Sequence, residues 1–193
     1  NGSTGFRLDG VDANDGSGYS VSSAGDVNGD GFDDVIIGAH SASPDGNYAA
    51  GKSYVVFGKD SGFSSSLDLS SLNGSTGFRL DGVDSYDYSG RSVSSAGDVN
   101  GDGFDDIIID ANGASYVVFG KSSGFSSSLD LSSLDGSTGF RLDGSGSSVS
   151  SAGDVNGDGF DDIIIGASNA SPDGKDRAGE SYVVFGKSSG FSS

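Results

Sequence analysis

The sequence contains no cysteine, a single histidine (His40) and a single glutamate (Glu180). Without cysteine there is no disulfide framework, no thiol nucleophile and no cysteine zinc site. His40 has neither a second base nor a nucleophile in a recognisable arrangement with it, so it reads as an exposed loop residue and no catalytic site is expected. Basic residues are scarce, 10 against 28 acidic ones, for a formal charge of −18. That balance excludes nucleic acid and anionic membrane surfaces, which attract clusters of Lys and Arg. Every acid but Glu180 is Asp, whereas a merely solvated surface would mix in Glu; the bias points to turns and metal loops. No hydrophobic run reaches transmembrane length and no signal-peptide pattern occurs, so membrane insertion is not expected. The chain starts at Asn1 rather than Met, which fits processing or excision from a longer protein.

What is abundant is glycine, at 35 of 193 positions, together with serine. Helix is disfavoured throughout and turns should be dense. Apolar runs such as Val35-Ile36-Ile37 and Tyr54-Val55-Val56-Phe57 nevertheless recur, enough for a core of many short strands. They recur because the chain repeats itself. Gly-Ser-Thr-Gly-Phe-Arg-Leu-Asp-Gly begins at Gly2, Gly74 and Gly136. Ser-Ala-Gly-Asp-Val-Asn-Gly-Asp-Gly-Phe-Asp-Asp begins at Ser23, Ser95 and Ser151, and Ser-Tyr-Val-Val-Phe-Gly-Lys at Ser53, Ser115 and Ser181. A unit of about sixty residues exceeds leucine-rich and β-roll repeats and approaches a four-stranded propeller blade. Repeats over 1–72, 73–134 and 135–193 are expected, within one domain.

Each unit offers four strands, in the first case 20–24, 33–39, 53–57 and 78–81. The second and third are rich in Val, Ile, Tyr and Phe, as buried central strands should be. In the middle unit they join across Asn112-Gly113, a strong hairpin signal. The outer units use a longer connection carrying Ser-Pro-Asp-Gly, at Ser43 and Ser171. Unit two shortens this connection, and unit three shortens the stretch before its first strand. In an up-and-down blade both emerge at one edge. The other edge carries the aspartate loop and Ser-Gly-Phe-Ser-Ser-Ser-Leu-Asp-Leu-Ser-Ser-Leu, identical at Ser61 and Ser123, whose leucines suggest packing on the blade. One edge is thus fixed and the other varies, and the varying edge is the expected site of recognition.

The aspartate loop places side-chain oxygens at its positions 1, 3, 5 and 9. Asp26, Asn28, Asp30 and Asp34 occupy them in the first copy, with the Phe32 carbonyl at position 7. The same roles fall to Asp98, Asn100, Asp102, Phe104 and Asp106, then to Asp154, Asn156, Asp158, Phe160 and Asp162. Alternate residues of a curled loop can aim at one hard cation, and calcium takes six to eight oxygens; three sites per chain are expected. Gly31 permits the turn after position 5, and the Phe32 ring is free to turn to the core. Turn chemistry alone explains Asn-Gly and Asp-Gly, but not three carboxylates gathered without a cation. An EF-hand begins alike, yet it needs Glu at position 12, where this chain has Ile37, Ile109 or Ile165 inside strand patterns.

Residues 17–39, Ser-Gly-Tyr-Ser-Val-Ser-Ser-Ala-Gly-Asp-Val-Asn-Gly-Asp-Gly-Phe-Asp-Asp-Val-Ile-Ile-Gly-Ala, resemble an FG-GAP repeat, the blade unit of the integrin α-subunit propeller and of many secreted bacterial proteins. The resemblance spans essentially the whole chain. It implies an all-β β-propeller with three four-stranded antiparallel blades, calcium in the hairpin between each blade's first two strands, and an extracellular or cell-surface location, which the lack of cysteine suits. The copies depart from one another at Tyr19, replaced by Arg91 and Ser147, and at Gly38, replaced by Asp110.

Closed propellers need four to eight blades, so three leave open faces. The segment Phe6–Asp9 is a spare fourth-type strand, expected to complete a blade in another copy or in the rest of a longer propeller. Asp12, Asp15, Asp84 and Asp87 read as solvated loop acids rather than further cation ligands. Lys59, Lys121 and Lys187 follow Phe-Gly at a strand end. The expected function is a non-catalytic calcium-binding scaffold presenting its varying edge to a protein or glycan. The alternatives are a structural repeat of a surface layer or fibre joined by strand exchange, and the propeller part of a secreted hydrolase.

Overall fold

The computed structural model describes residues 2–144 and 146–192; the chain start at Asn1 lies outside them. Strands are numbered in chain order. A short strand, β1 (Arg7–Asp9), precedes β2 (Ser20–Gly25), β3 (Asp34–Ala39) and β4 (Lys52–Val56). After a short β5 (Ser66–Asp68) come β6 (Gly77–Asp81), β7 (Ser92–Gly97), β8 (Asp106–Ala111) and β9 (Ala114–Val118). The rest are β10 (Ser128–Asp130), β11 (Gly139–Asp143), β12 (Ser148–Gly153), β13 (Asp162–Ala167) and β14 (Glu180–Val184).

Three antiparallel blades result, as the sequence predicts: β2-β3-β4-β6, β7-β8-β9-β11 and β12-β13-β14. Each first strand ends in a bulge at its glycine, Gly25, Gly97 or Gly153, which shifts the register as the chain enters the aspartate loop. Gly25 sits at φ +74°, a left-handed backbone open to glycine at little cost. The outer strands β6 and β11 hydrogen-bond to the third strands, Arg79 opposite Tyr54 and Arg141 opposite Tyr116. The third blade has no outer strand among the described residues.

Two features were not foreseen. The repeated Ser-Leu-Asp segments form parallel strands: β10 lies along β6 and β5 along β1. Each leads into a single 3-10 turn, Leu69–Ser71 or Leu131–Ser133, with the Asp68 or Asp130 carboxylate accepting the Ser70 or Ser132 backbone N–H at 2.8 Å. Leu69, Leu72, Leu131 and Leu134 are buried, so these connections pack on the blades as their leucine spacing suggests.

The core lies between blades. One face of the first blade, with Ile36, Val55, Phe57, Phe78 and Leu80, packs on Val93, Ile107, Ile109, Tyr116 and Val118 of the second. The same pairing recurs one step on, Ile108, Val117, Phe119 and Phe140 against Val149, Ile163 and Ile165. Burying a side chain of this size stabilises by about 1.5–3 kcal/mol, so the stack is held by its interfaces. On the outer face of the first blade Ile37, Tyr54 and Val56 are covered by Leu69, Leu72 and Leu8, while Val21 is 68% exposed there and Phe185 53% exposed on the third blade.

Candidate functional site

The three aspartate loops share one geometry. In the first, the Asp26 carboxylate points into the loop and accepts the backbone N–H groups of Asp30 at 3.0 Å and Gly31 at 2.9 Å. Asn28 Oδ1 accepts the Asp30 N–H at 2.8 Å, and Asp30 Oδ1 that of Phe32 at 3.0 Å. Asn28 also donates from Nδ2 to Asp30 Oδ2 at 3.1 Å. The second loop repeats these contacts from Asp98, Asn100 and Asp102. The third does so from Asp154, Asn156 and Asp158.

Position 9 behaves differently. Asp34 is buried and opens β3; its Oδ2 accepts the Val27 N–H at 3.0 Å and its Oδ1 the Gly58 N–H at 2.8 Å. Asp106 and Asp162 hold the equivalent pairs. These carboxylates therefore tie the loop to the end of the third strand. Burial pushes Asp34 up to about 7 and Asp106 up to about 8, against the lowering effect of their backbone N–H donors; the neighbouring carboxylates at positions 5 and 1 add to the rise.

Among the described residues no three His, Cys, Asp or Glu side chains form a ready metal cluster. The structure gathers positions 1, 3 and 5 and sets position 9 among backbone donors. The donor set still fits a hard cation. Three carboxylates, an amide oxygen and the position-7 carbonyl offer only oxygen, every carboxylate oxygen has a further lone pair, and Asp34 is an acid whose pKa is raised mainly by burial, with Asp30 and Asp26 adding to the rise. Asp26, Asn28, Asp30, Phe32 and Asp34, with their counterparts, are the residues that would hold it.

The expected place of the Phe32 ring needs correction. At the equivalent positions Phe104 and Phe160 turn to the glycines of the preceding loop, so close that a Cβ at Gly29 or Gly101 would overlap them; Phe32 itself is 41% exposed. Position 8, which sequence reasoning passed over, joins the loops. Asp105 Oδ2 accepts the Asp26 N–H at 2.8 Å and Asp161 Oδ2 the Asp98 N–H at 2.9 Å. Lys121 and Lys187 donate their backbone N–H to the Val27 and Val99 carbonyls at 3.0 and 2.9 Å. The only signal in the sequence was the doubled Asp-Asp. Lys59, Lys121 and Lys187 also lay their ammonium groups 4.9 Å from the ring centroids of Phe63, Phe125 and Phe191.

At the opposite edge the two varying segments meet. Tyr86, Tyr88 and Ser89 donate backbone hydrogen bonds to Tyr48, Ala49 and Ala50, and Gly144 to Gly113. Aromatic rings gather there. Tyr19 lies 3.9 Å from His40 between centroids, His40 6.0 Å from Tyr88, and Tyr86 5.3 Å from Tyr48. Tyr19, Tyr48 and Tyr86 are all more than half exposed. His40 is half-buried rather than an open loop residue, and burial lowers its pKa, with Arg91 adding to this. Asp15 also departs from expectation. It is only 7% exposed, its Oδ2 has no hydrogen-bond partner among the described residues, and burial raises its pKa.

Blades of this topology, stacked through faces that repeat and stapled at one edge by aspartate loops, define a partial β-propeller. Residues 17–56, 89–118 and 145–184 match the FG-GAP repeat model. The chain belongs to the FG-GAP repeat family and is integrin α-like. It is similar to integrin alpha-PS5 of Drosophila melanogaster, 35% identical over 79% of the chain and 15% of the relative. Integrin alpha-4 of Xenopus laevis is 31% identical over 75% of the chain and 14% of the relative. Phosphatidylinositol-glycan-specific phospholipase D of Bos taurus is 31% identical over 83% of the chain and 19% of the relative. The chain therefore spans less than a fifth of the length of these relatives. No helix among the described residues is long and apolar enough to cross a membrane.

Proposed function

We propose that the chain is an extracellular, calcium-braced propeller module that binds a protein or glycan at its varying edge and catalyses nothing itself. The observation that carries the calcium reading is the threefold recurrence of one oxygen-lined loop, whose three acids accept backbone N–H groups and, among the described residues, have no basic side chain bonded to them. Calcium would hold each loop closed and strengthen the staple to the next blade; an unfolded chain offers no such site. Recognition falls to the tyrosines around His40, because exposed aromatic rings held on ordered loops offer large contact area at little entropic cost. The similarity to integrin α subunits supports an adhesion role.

The similarity to a phospholipase D favours one second reading, in which the module is the non-catalytic propeller part of a secreted hydrolase. Calorimetric titration with calcium tests the metal reading and is expected to show three sites per chain. A glycan array and a surface-protein pull-down, each repeated with Tyr48→Ala and Tyr86→Ala, test the recognition edge. Retention that survives both substitutions would remove it as the binding surface.

A further inference from the structure

We infer, resting on the calcium reading above, that Asp105 and Asp161 are positioning residues for the metal loop of the preceding blade, so that filling one aspartate loop raises the calcium affinity of the loop before it.

The clamp on position 1 is two-sided. Asp105 Oδ2 accepts the Asp26 N–H at 2.8 Å, and the Asp105 N–H returns to the Asp26 carbonyl at 3.3 Å. Asp161 holds Asp98 in the same way, at 2.9 and 3.1 Å. The carboxylates of Asp26 and Asp98 collect the N–H groups of positions 5 and 6 in their own loops. The backbone that carries each of these carboxylates is therefore fixed by the next loop as well as by its own hairpin. One position on, Val27 and Val99 are buried, and their carbonyls accept the Lys121 and Lys187 N–H groups. At position 4 the Phe104 ring fills the space beside Gly29, and the Phe160 ring that beside Gly101. Positions 1, 2 and 4 of one loop are thus shaped by the following blade.

The residues that do the shaping lie among the ligands of their own loop. Asp105 stands between Phe104, whose carbonyl is position 7, and Asp106, position 9, so filling the second loop would hold both of its neighbours. A second route runs through the strand end. Asp106 Oδ1 accepts the Gly120 N–H at 2.9 Å, and the next residue, Lys121, gives its N–H to Val27. Asp162, Gly186 and Lys187 repeat that route to Val99. With the second loop filled, both routes are rigid, and the order that a cation in the first loop requires of Asp26 is already in place. Linkage makes the effect reciprocal, so a filled first loop tightens the second by the same factor. Charge works the other way, because a cation in one loop reduces the negative potential at the next. Salt at about 0.15 M screens that opposition beyond about 8 Å, whereas the hydrogen-bonded clamp does not depend on salt.

Gly31, Gly103 and Gly159 stand at position 6 of the three loops, so their amide signals report the filling of each loop separately. The test is a calcium titration of the full chain followed by nuclear magnetic resonance at about 0.15 M salt. Asp102→Ala removes a ligand of the second loop and should move the Gly31 midpoint to about tenfold higher calcium. In Asp105→Ala that dependence should disappear: the Gly31 midpoint is already raised, and adding Asp102→Ala moves it no further. Asp105→Asn keeps a side-chain oxygen for the Asp26 N–H and should restore the dependence. Phe104→Ala keeps the position-7 carbonyl, takes the ring away from Gly29 and should weaken the dependence with Asp105 intact. A Gly31 midpoint indifferent to Asp102→Ala would overturn the inference and leave the calcium reading standing. So would a Gly31 midpoint that still follows the second loop in full in both Asp105→Ala and Phe104→Ala. Amide signals that ignore calcium altogether would overturn both.

Discussion

Asp105 in the second aspartate loop accepts the backbone N–H of Asp26 in the first at 2.8 Å, across 79 positions of sequence. The contact makes each loop part of its neighbour's structure. A cation held in one loop therefore bears on the junction between blades as well as on its own hairpin.

Asp105→Ala leaves the Asp26 N–H without its partner at a half-buried junction. A lost hydrogen bond with an unsatisfied donor costs about 1–3 kcal/mol, and about 1 kcal/mol shifts the melting temperature of a chain this size by about 2–4 °C. Asp33→Ala is the internal control, because the Asp33 side chain is exposed at the equivalent position. The melting temperature of Asp105→Ala is expected to fall while that of Asp33→Ala stays put.

Asp106→Ala should be more damaging. Its two oxygens accept N–H groups from Val99 and Gly120 at 3.0 and 2.9 Å, and all of this is buried. Stranding two donors costs about 2–6 kcal/mol, which chemical denaturation will read directly. Asp102→Ala lies in the same loop but is exposed, so it should remove one calcium site from the titration with little change in the calcium-free stability.

The pH dependence follows from the raised acids. With no cation, Asp34 titrates at about 7 and Asp106 at about 8, against about 4 in the unfolded chain. Between those values the folded chain holds more protons than the unfolded one, so calcium-free stability is greatest at the acid end and falls as pH rises through 7 and 8. Calcium binds the ionised form, so its affinity should rise over the same range with protons released. Titration calorimetry in buffers of different ionisation enthalpy measures that release. A calcium-free melting temperature that climbs from pH 5 to 8 would contradict this reading.

The strands were legible because β-branched and aromatic runs recur in three copies, and because Asn112-Gly113 has the chemistry of a two-residue turn. The short strands β5 and β10 were not. Ser-Leu-Asp is too brief to show a period, and its pairing is parallel and made with a strand distant in sequence. The loop acids at positions 1, 3 and 5 were readable from spacing, whereas the work of Asp105 and Asp161 is done across blades and leaves no local pattern. One departure between copies now has a physical reason. Gly38 faces the Gly90 carbonyl with no room for a Cβ; the shorter segment before β12 brings Gly146 there instead, and the Asp110 side chain fills the space and meets Ser115 at 3.3 Å. Burial, offset by Ser115, raises Asp110 to about 6.

The most direct test of the central claim is the melting temperature with saturating calcium and again after complete chelation. At a free concentration about a hundred times Kd, each occupied loop adds about 2.7 kcal/mol, so three loops predict a rise of about 10 °C or more, fully reversed by chelator. Identical melting in both conditions would show that the loops hold their shape through hydrogen bonds alone, and would contradict the account.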